Sequence, residues 1–187
     1  MGVRGRERSD ALHCTKMEQA QSILTTLLPS LVELRHLIHS KPDLSLQEHD
    51  TAARVTEYIS AHLNKSTVKW DVRSGIGGAG VVITINSYVP SSMYTPQCTH
   101  AARSGVEGET LLFRSELDAL PIDEPNDIPY RSTRPNISHK CGHDGHMAIL
   151  CGLGAVLAQN PPAKGTEPDE CRCLVPFTDF RSKLDAL

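Results

Sequence analysis

Aromatic residues are scarce in this chain. Phe, Trp and Tyr make up 4% of its 187 residues, so the core has to be built from aliphatic side chains. A basic excess is also missing. The formal net charge is -3, which excludes a partner bound by neutralising phosphates, and the one basic cluster, Arg4, Arg6 and Arg8, reads as a solvated tail. No apolar run approaches the length needed to span a bilayer. The start Met1-Gly2-Val3-Arg4-Gly5-Arg6 has charge but no apolar stretch behind it, so it does not read as a secretory signal, and Arg6 breaks the myristoylation pattern. These absences lead to an expectation of a cytoplasmic protein with reduced thiols, no nucleic-acid partner and no membrane association, in which Cys14, Cys98 and Cys151 are ordinary residues. The length suits one domain with a real core rather than two.

Periodicity organises the rest. Residues 1–16 are charged and aperiodic and read as disordered. Ile23, Leu24, Leu27, Leu28, Leu31, Leu34 and Ile38 recur at steps of three and four, the mark of an amphipathic helix, with a kink or restart at Pro29 and an end at Pro42. Ser45-Leu46-Gln47-Glu48 has the form of a capping box. It opens a second helix with Ala52, Val55, Ile59 and Leu63 inward, and His36, His39 and His49 read as surface or packing residues of these helices. Val68, Trp70 and Val72 alternate as in a half-buried strand. The glycine-rich stretch Gly75 to Gly80 enters another strand, Val81 to Ile85, rather than a helix, so it reads as a turn and not as a phosphate cradle. Residues 86–109 form an irregular insert. Thr110 to Phe113 read as a buried strand leading into the polar turn from Arg114 to Pro121, and Ile149, Leu150, Leu153, Val156 and Leu157 form a helical stripe closed by Asn160-Pro161-Pro162. Strands separated by helices give an α/β layered domain.

The chemistry concentrates at His139-Lys140-Cys141-Gly142-His143-Asp144-Gly145-His146, where one thiol, three imidazoles and a carboxylate crowd together. Thiolate and imidazole are the donors that zinc and its neighbours select, so a metal site is the first reading. A chance cluster, or a polar loop that caps the next helix, stands beside it, and Asp144 suits an N-cap as well as a ligand-orienting group. Glu116 and Asp118 sharpen the metal reading, because metal-bound histidines need carboxylates to set their tautomer. The bland alternative for them is a solvated turn.

Taken in order, Leu34-Arg35-His36-Leu37-Ile38-His39, Pro42-Asp43, Glu48, Gly80-Val81-Val82, Arg114-Ser115-Glu116-Leu117-Asp118-Ala119-Leu120-Pro121, Pro129-Tyr130 and His139 to His146 resemble the metal-dependent amidohydrolases of the aminoacylase/carboxypeptidase superfamily, N-acyl-amino-acid branch. The resemblance implies a two-metal site on an α/β catalytic domain, a separate lid or dimerisation domain, and hydrolysis of the amide of a small N-acyl amino acid. It matches Cys141 and His143 to ligands of divalent metals (Zn, Mn or Co) and Asp118 to the catalytic-site acid. Glu116 stands where many members have Asp, and Asp144 and His146 match without an assigned role. The resemblance covers roughly residues 30–165 apart from the insert, within a partial catalytic domain taken as 17–165, and is lost after Thr166, where no strand pattern follows and the family's Gln-Pro-Ala-Glu-Glu segment is missing. The expectation is therefore the N-terminal portion of such an enzyme: helices on an incomplete mixed sheet, no lid domain, a non-family tail at 166–187, weak metal binding and no activity alone. An open sheet edge would favour self-association. The alternatives are a non-catalytic interaction or regulatory product, and a small structural metal protein using His139, Cys141, His143 and His146.

Overall fold

A computed structural model describes residues 3–86, 110–161 and 171–176, so the insert from 87 onward and most of the 166–187 tail lie outside the described residues. Its elements are α1 (Val3–Ser40), α2 (His49–Leu63), β1 (Lys69–Ile76), β2 (Gly80–Asn86), β3 (Thr110–Ser115), α3 (His143–Gln159) and β4 (Cys171–Pro176). No helix among the described residues is long and apolar enough to cross a membrane.

Helix α1 is continuous from Val3, which corrects the expectation of disorder up to residue 16. Arg4, Arg6, Glu7, Arg8, Ala11 and Leu12 are good helix formers, and extending an existing helix avoids the cost of nucleation. It also passes through Pro29 without restarting, although the proline withholds one amide from the ladder. Among the described side chains, Leu27, Leu31, Leu34 and Ile38 are the apolar residues α1 buries. The stripe is narrower than its sequence period implied, for Leu24 and Leu28 remain 44% and 58% exposed.

Helix α2 starts where expected but is capped differently. Ser45 does not cap it; Glu48 occupies the N-cap position with no side-chain cap bond, and its Oε1 accepts from the Leu46 amide at 2.8 Å. Asp43 does the capping from farther upstream. Its Oδ2 accepts from the Thr51 amide at 2.8 Å and from Thr51 Oγ1 at 2.7 Å, so one carboxylate satisfies an orphan amide of the first turn. Leu46, at φ 68°, supplies the reversal that lets the chain fold back onto this cap.

The sheet order is β1-β2-β4-β3. The pairs β1/β2 and β2/β4 are antiparallel and β4/β3 is parallel, which makes the sheet mixed. Parallel neighbours need a crossover, and α3 supplies it between β3 and β4. Strand β4 corrects the reading that no strand follows Thr166: Cys171–Pro176 lie inside the sheet, Leu174 opposite both Ile83 and Phe113. A run as short as this one has too few residues to display a period, and its strand character comes from two neighbours that need partners. Among the described residues, strands β1 and β3 form the edges of the sheet.

The core is aliphatic, as the composition required. Ile38, Ile59, Leu63, Val81, Ile83, Leu117, Met147 and Ala155 are essentially inaccessible to solvent. Helices α1 and α3 run antiparallel and are tied at both ends. At one end Lys16 Nζ donates to the Pro161 carbonyl at 2.6 Å and Asn160 Nδ2 to the Lys16 carbonyl at 2.8 Å; at the other Arg35 Nε donates to Asp144 Oδ2 at 3.0 Å. Between them Gly152 permits the close approach, since a Cβ there would lie 3.0 Å from Leu31 Cδ1 and 3.8 Å from Leu24 Cδ2. Gly152→Val should force the two helices apart and cost about 1–3 kcal/mol. Urea denaturation should show a lower midpoint with an unchanged slope.

Candidate metal centre

Strand β3 ends at Ser115, and the chain stays extended for the next residues, so Leu117 turns into the core while Glu116 and Asp118 share the opposite side. Facing them is the start of α3. The helix begins at His143, inside the histidine-rich run rather than after it, with Gly142 at the N-cap in a left-handed conformation (φ 94°) that glycine accepts without strain. Asp144 is thus a first-turn residue and not the N-cap. His143 and His146, three residues apart on one helix, fall on the same face, with ring centroids 5.8 Å apart.

His143 Nδ1 lies 2.9 Å from the Asp118 carbonyl oxygen and 3.1 Å from Asp118 Oδ1. Carbonyl oxygens only accept, so Nδ1 carries the proton and donates. The neutral ring then presents the Nε2 lone pair outward, the tautomer a metal-binding histidine needs. Glu116 pairs with Arg114 through Oε1, while its Oε2 faces His146 Nδ1 at 3.8 Å. Burial raises the Glu116 carboxyl, but its own amide, Arg114 and His143 outweigh this and hold it below the ordinary 4.5. One donor atom from each of Glu116, His143 and His146 can be chosen so that all lie within 4.8 Å of one another. This donor set fits a divalent ion.

Behind the centre lies a buried polar network. His39 faces two carboxylates, with Nδ1 2.9 Å from Asp144 Oδ2 and Nε2 3.0 Å from Glu124 Oε1. Burial pushes the Asp144 carboxyl up, and the His39 hydrogen bond with the Arg35 charge more than reverses it. For Glu124, burial is likewise outweighed, by the Ser132 amide at 2.8 Å and by His39. With both carboxylates ionised, the ring donates from both nitrogens and carries a charge. Sequence alone read His39 as a packing residue; its buried, doubly paired ring shows a charge bridge instead. Tyr130 packs edge-on against it at 5.3 Å and stacks on His36 at 3.7 Å.

The residues singled out in sequence do not all converge. His139 is buried, 6.4 Å from the His39 ring, and neither of its nitrogens has a partner among the described residues. Burial, the largest influence, pushes it down to about 4. Cys141 is exposed and is not among the clustered donors. The four-donor arrangement of His139, Cys141, His143 and His146 is therefore not assembled, because the helix start turns His143 and His146 toward Glu116 while His139 points into the core. Cys151 is inert, its thiol raised by burial to about 12.

Comparisons with known proteins bear on the family and the fold. Residues 112–174 match peptidase family M20/M25/M40, and the match passes Thr166 into β4. The Bacillus subtilis protein YhaA, named as an amidohydrolase, is 33% identical over 146 residues, covering 78% of this chain and 31% of its own length. The N-acetyldiaminopimelate deacetylase of Lactobacillus helveticus is 27% identical over 132 residues, with 71% and 29% covered. Among solved structures, an aminohydrolase from methicillin-resistant Staphylococcus aureus superposes with a TM-score of 0.62 at 26% identity, over 88% of this chain and 37% of that one. YxeP of B. subtilis, described as a dinuclear metal-binding peptidase of family M20, shares the fold with a TM-score of 0.59 at 22% identity, over 83% and 35%. Fold and motif order together define a metallohydrolase-type α/β domain. The chain belongs to the M20/M25/M40 peptidase family and spans about a third of the length of the relatives it matches.

Two outcomes follow from the network. His39→Ala leaves two buried carboxylates without their cation and should cost about 3–5 kcal/mol, read by chemical denaturation. The second concerns pH. Asp144 and Glu124 titrate lower folded than unfolded, so their stabilisation is complete above their ordinary values of 3.8 and 4.5 and is lost as pH falls through the lowered folded values. Denaturation midpoints measured across this range should fall with acid in the parent chain and more shallowly in Glu124→Gln.

Proposed function

We propose that the chain carries part of the centre of a metal-dependent amidohydrolase acting on small N-acyl amino acids, and that on its own it does not turn over. The clustering of Glu116, His143 and His146 beside Asp118 carries this reading. A deacetylase of an N-acetylated amino acid among the relatives supports the substrate class. When bound, a divalent ion such as zinc, manganese or cobalt supplies a nucleophilic water near neutral pH and polarises the scissile carbonyl. His143 would hold it through Nε2, and Cys141 is the further ligand that the family resemblance assigns. Asp118 fixes the His143 tautomer through both its carbonyl and its carboxylate. Glu116, ionised and anchored by Arg114, adds negative charge on the same side. The expectation of inactivity rests on the donor supply: one cluster of three donors is found among the described residues, whereas two ions need more protein groups.

We take residues 17–165 as the catalytic portion and expect a cytoplasmic protein. A second reading, an interaction product that pairs through its sheet edge, is favoured by Leu112, which stands 49% exposed on edge strand β3.

The 187-residue chain with added zinc, manganese or cobalt should leave N-acetyl amino acids intact. Joined to the remaining portion of YhaA, it should hydrolyse them. Cys141→Ala and His143→Ala should each then lower the rate by at least the roughly 100-fold that losing a ligand-orienting group can cost. A folded, metal-loaded fusion without turnover would overturn the reading.

A further inference from the structure

We propose that residues 177–187 form a short amphipathic helix that docks on the apolar seam between α1 and α3. The seam lies within the described residues and its occupant outside them.

The seam is made of side chains that a solvated helix does not present. Leu24, Leu28 and Val32 follow at steps of four on α1, with Met17 seven residues before Leu24, so the four share one face, and all are exposed. Ile149, 72% exposed, lies three residues before Gly152 on α3, and Gly152 is where Leu24 and Leu31 close on that helix. The two sets therefore border one seam. Charge is missing from it as well: α1 carries no charged side chain from Gln19 to Val32, and α3 none from Met147 to Gln159. Helices without a charged outer face are normally covered. Together these side chains make an apolar patch on the order of a few hundred Å², the size that marks an interaction surface.

The occupant is read from the chain that follows β4. Phe177, Phe180, Leu184 and Leu187 recur at steps of three, four and three, with Arg181, Lys183 and Asp185 between them, the period of an amphipathic helix. Thr178 and Asp179 are residue types that favour a helix start. Two of the three phenylalanines of this aromatic-poor chain fall here, and their large apolar surfaces need a partner. Position and length fit. Pro176, the last residue of β4, pairs with Ser115 at the end of β3, so the chain leaves the sheet at the end where α3 begins, and a helix running back from there lies alongside α3. Residues 177–187 span about 16 Å as a helix, against about 12 Å from Leu24 to Val32 on α1. A second copy of the chain on the same seam would leave Phe177 and Phe180 uncovered.

The test uses the full chain. Hydrogen–deuterium exchange should find the amides of 180–187 exchanging about tenfold or more slower than in a free peptide of that sequence. Leu28→Asp and Ile149→Asp, both at exposed positions, should return them to the free rate, whereas Leu46→Asp, in the turn before α2, should not. Circular dichroism checks the folding of each variant. A second readout needs no charge in the seam: with benzoylphenylalanine in place of Leu28, illumination should join that position to a peptide within 177–187 in protein of monomer mass, and in place of Leu112 it should not. Free-rate exchange of 180–187 in the parent chain, protection that survives both Leu28→Asp and Ile149→Asp, or crosslinks from position 28 that reach a second copy instead of the tail would each overturn the proposal. Crosslinks to the tail from position 112 alone would place it on the sheet and overturn it too. Should a charged variant fail to fold, parent-chain exchange and the crosslinks decide.

Discussion

The imidazole of His39, held between the carboxylates of Asp144 and Glu124, is the contact on which the rest of the arrangement depends. It joins the end of α1 to the first turn of α3 and to the loop that follows β3. Burying two carboxylates is costly unless each is paired, so removing any member leaves a charge that the others cannot satisfy. Arg35 adds a second cation to Asp144, and Ser132 adds an amide to Glu124. Because Asp144 directly follows His143, fixing its side chain fixes the helix start. The direction in which the two histidines project is set by a bridge that lies behind them.

The same point in the fold is served by the sheet. Glu116 and Asp118 come from the end of β3, and α3 leads from this region back to a parallel β4, so the centre sits where a strand finishes and the following helix begins. Ligand sites of open α/β sheets occupy this position because side chains from both elements converge there without interrupting the ladder. Leu117 anchors the extended segment in the core while its two neighbours remain at the site. The absence of a side chain on Gly152 lets Leu31 hold the helical layer close. The helix that packs on α1 is thus also the one that carries His143 and His146.

Much of the fold was legible in the residues. The buried face of α2, the strand through Val81 to Ile85 and the helix after the histidine run follow from periods of about four and of two, which persist long enough to be read. Other features had no local signal. Asp43 caps α2 in place of Ser45 because the turn at Leu46 carries it back to Thr51, and nothing near either residue announces that turn. Strand β4 is short and its character comes from β2 and β3 on either side. At the site, the residue types were plain but their partners were not: Cys141 stands exposed on the turn, His139 goes into the core, and His146 meets Glu116 from thirty positions earlier in the chain.

By itself the sequence determined an aliphatic α/β layer, the order of the family motifs and the concentration of metal-binding side chains at 139–146, because composition, period and motif order are properties of the chain in one dimension. Only the tertiary structure decided which of those side chains meet. The start of α3 at His143 and the charge bridge behind it turn two imidazoles toward a carboxylate on a distant strand end, and a ligand set is defined by distances in space that spacing along the chain does not contain.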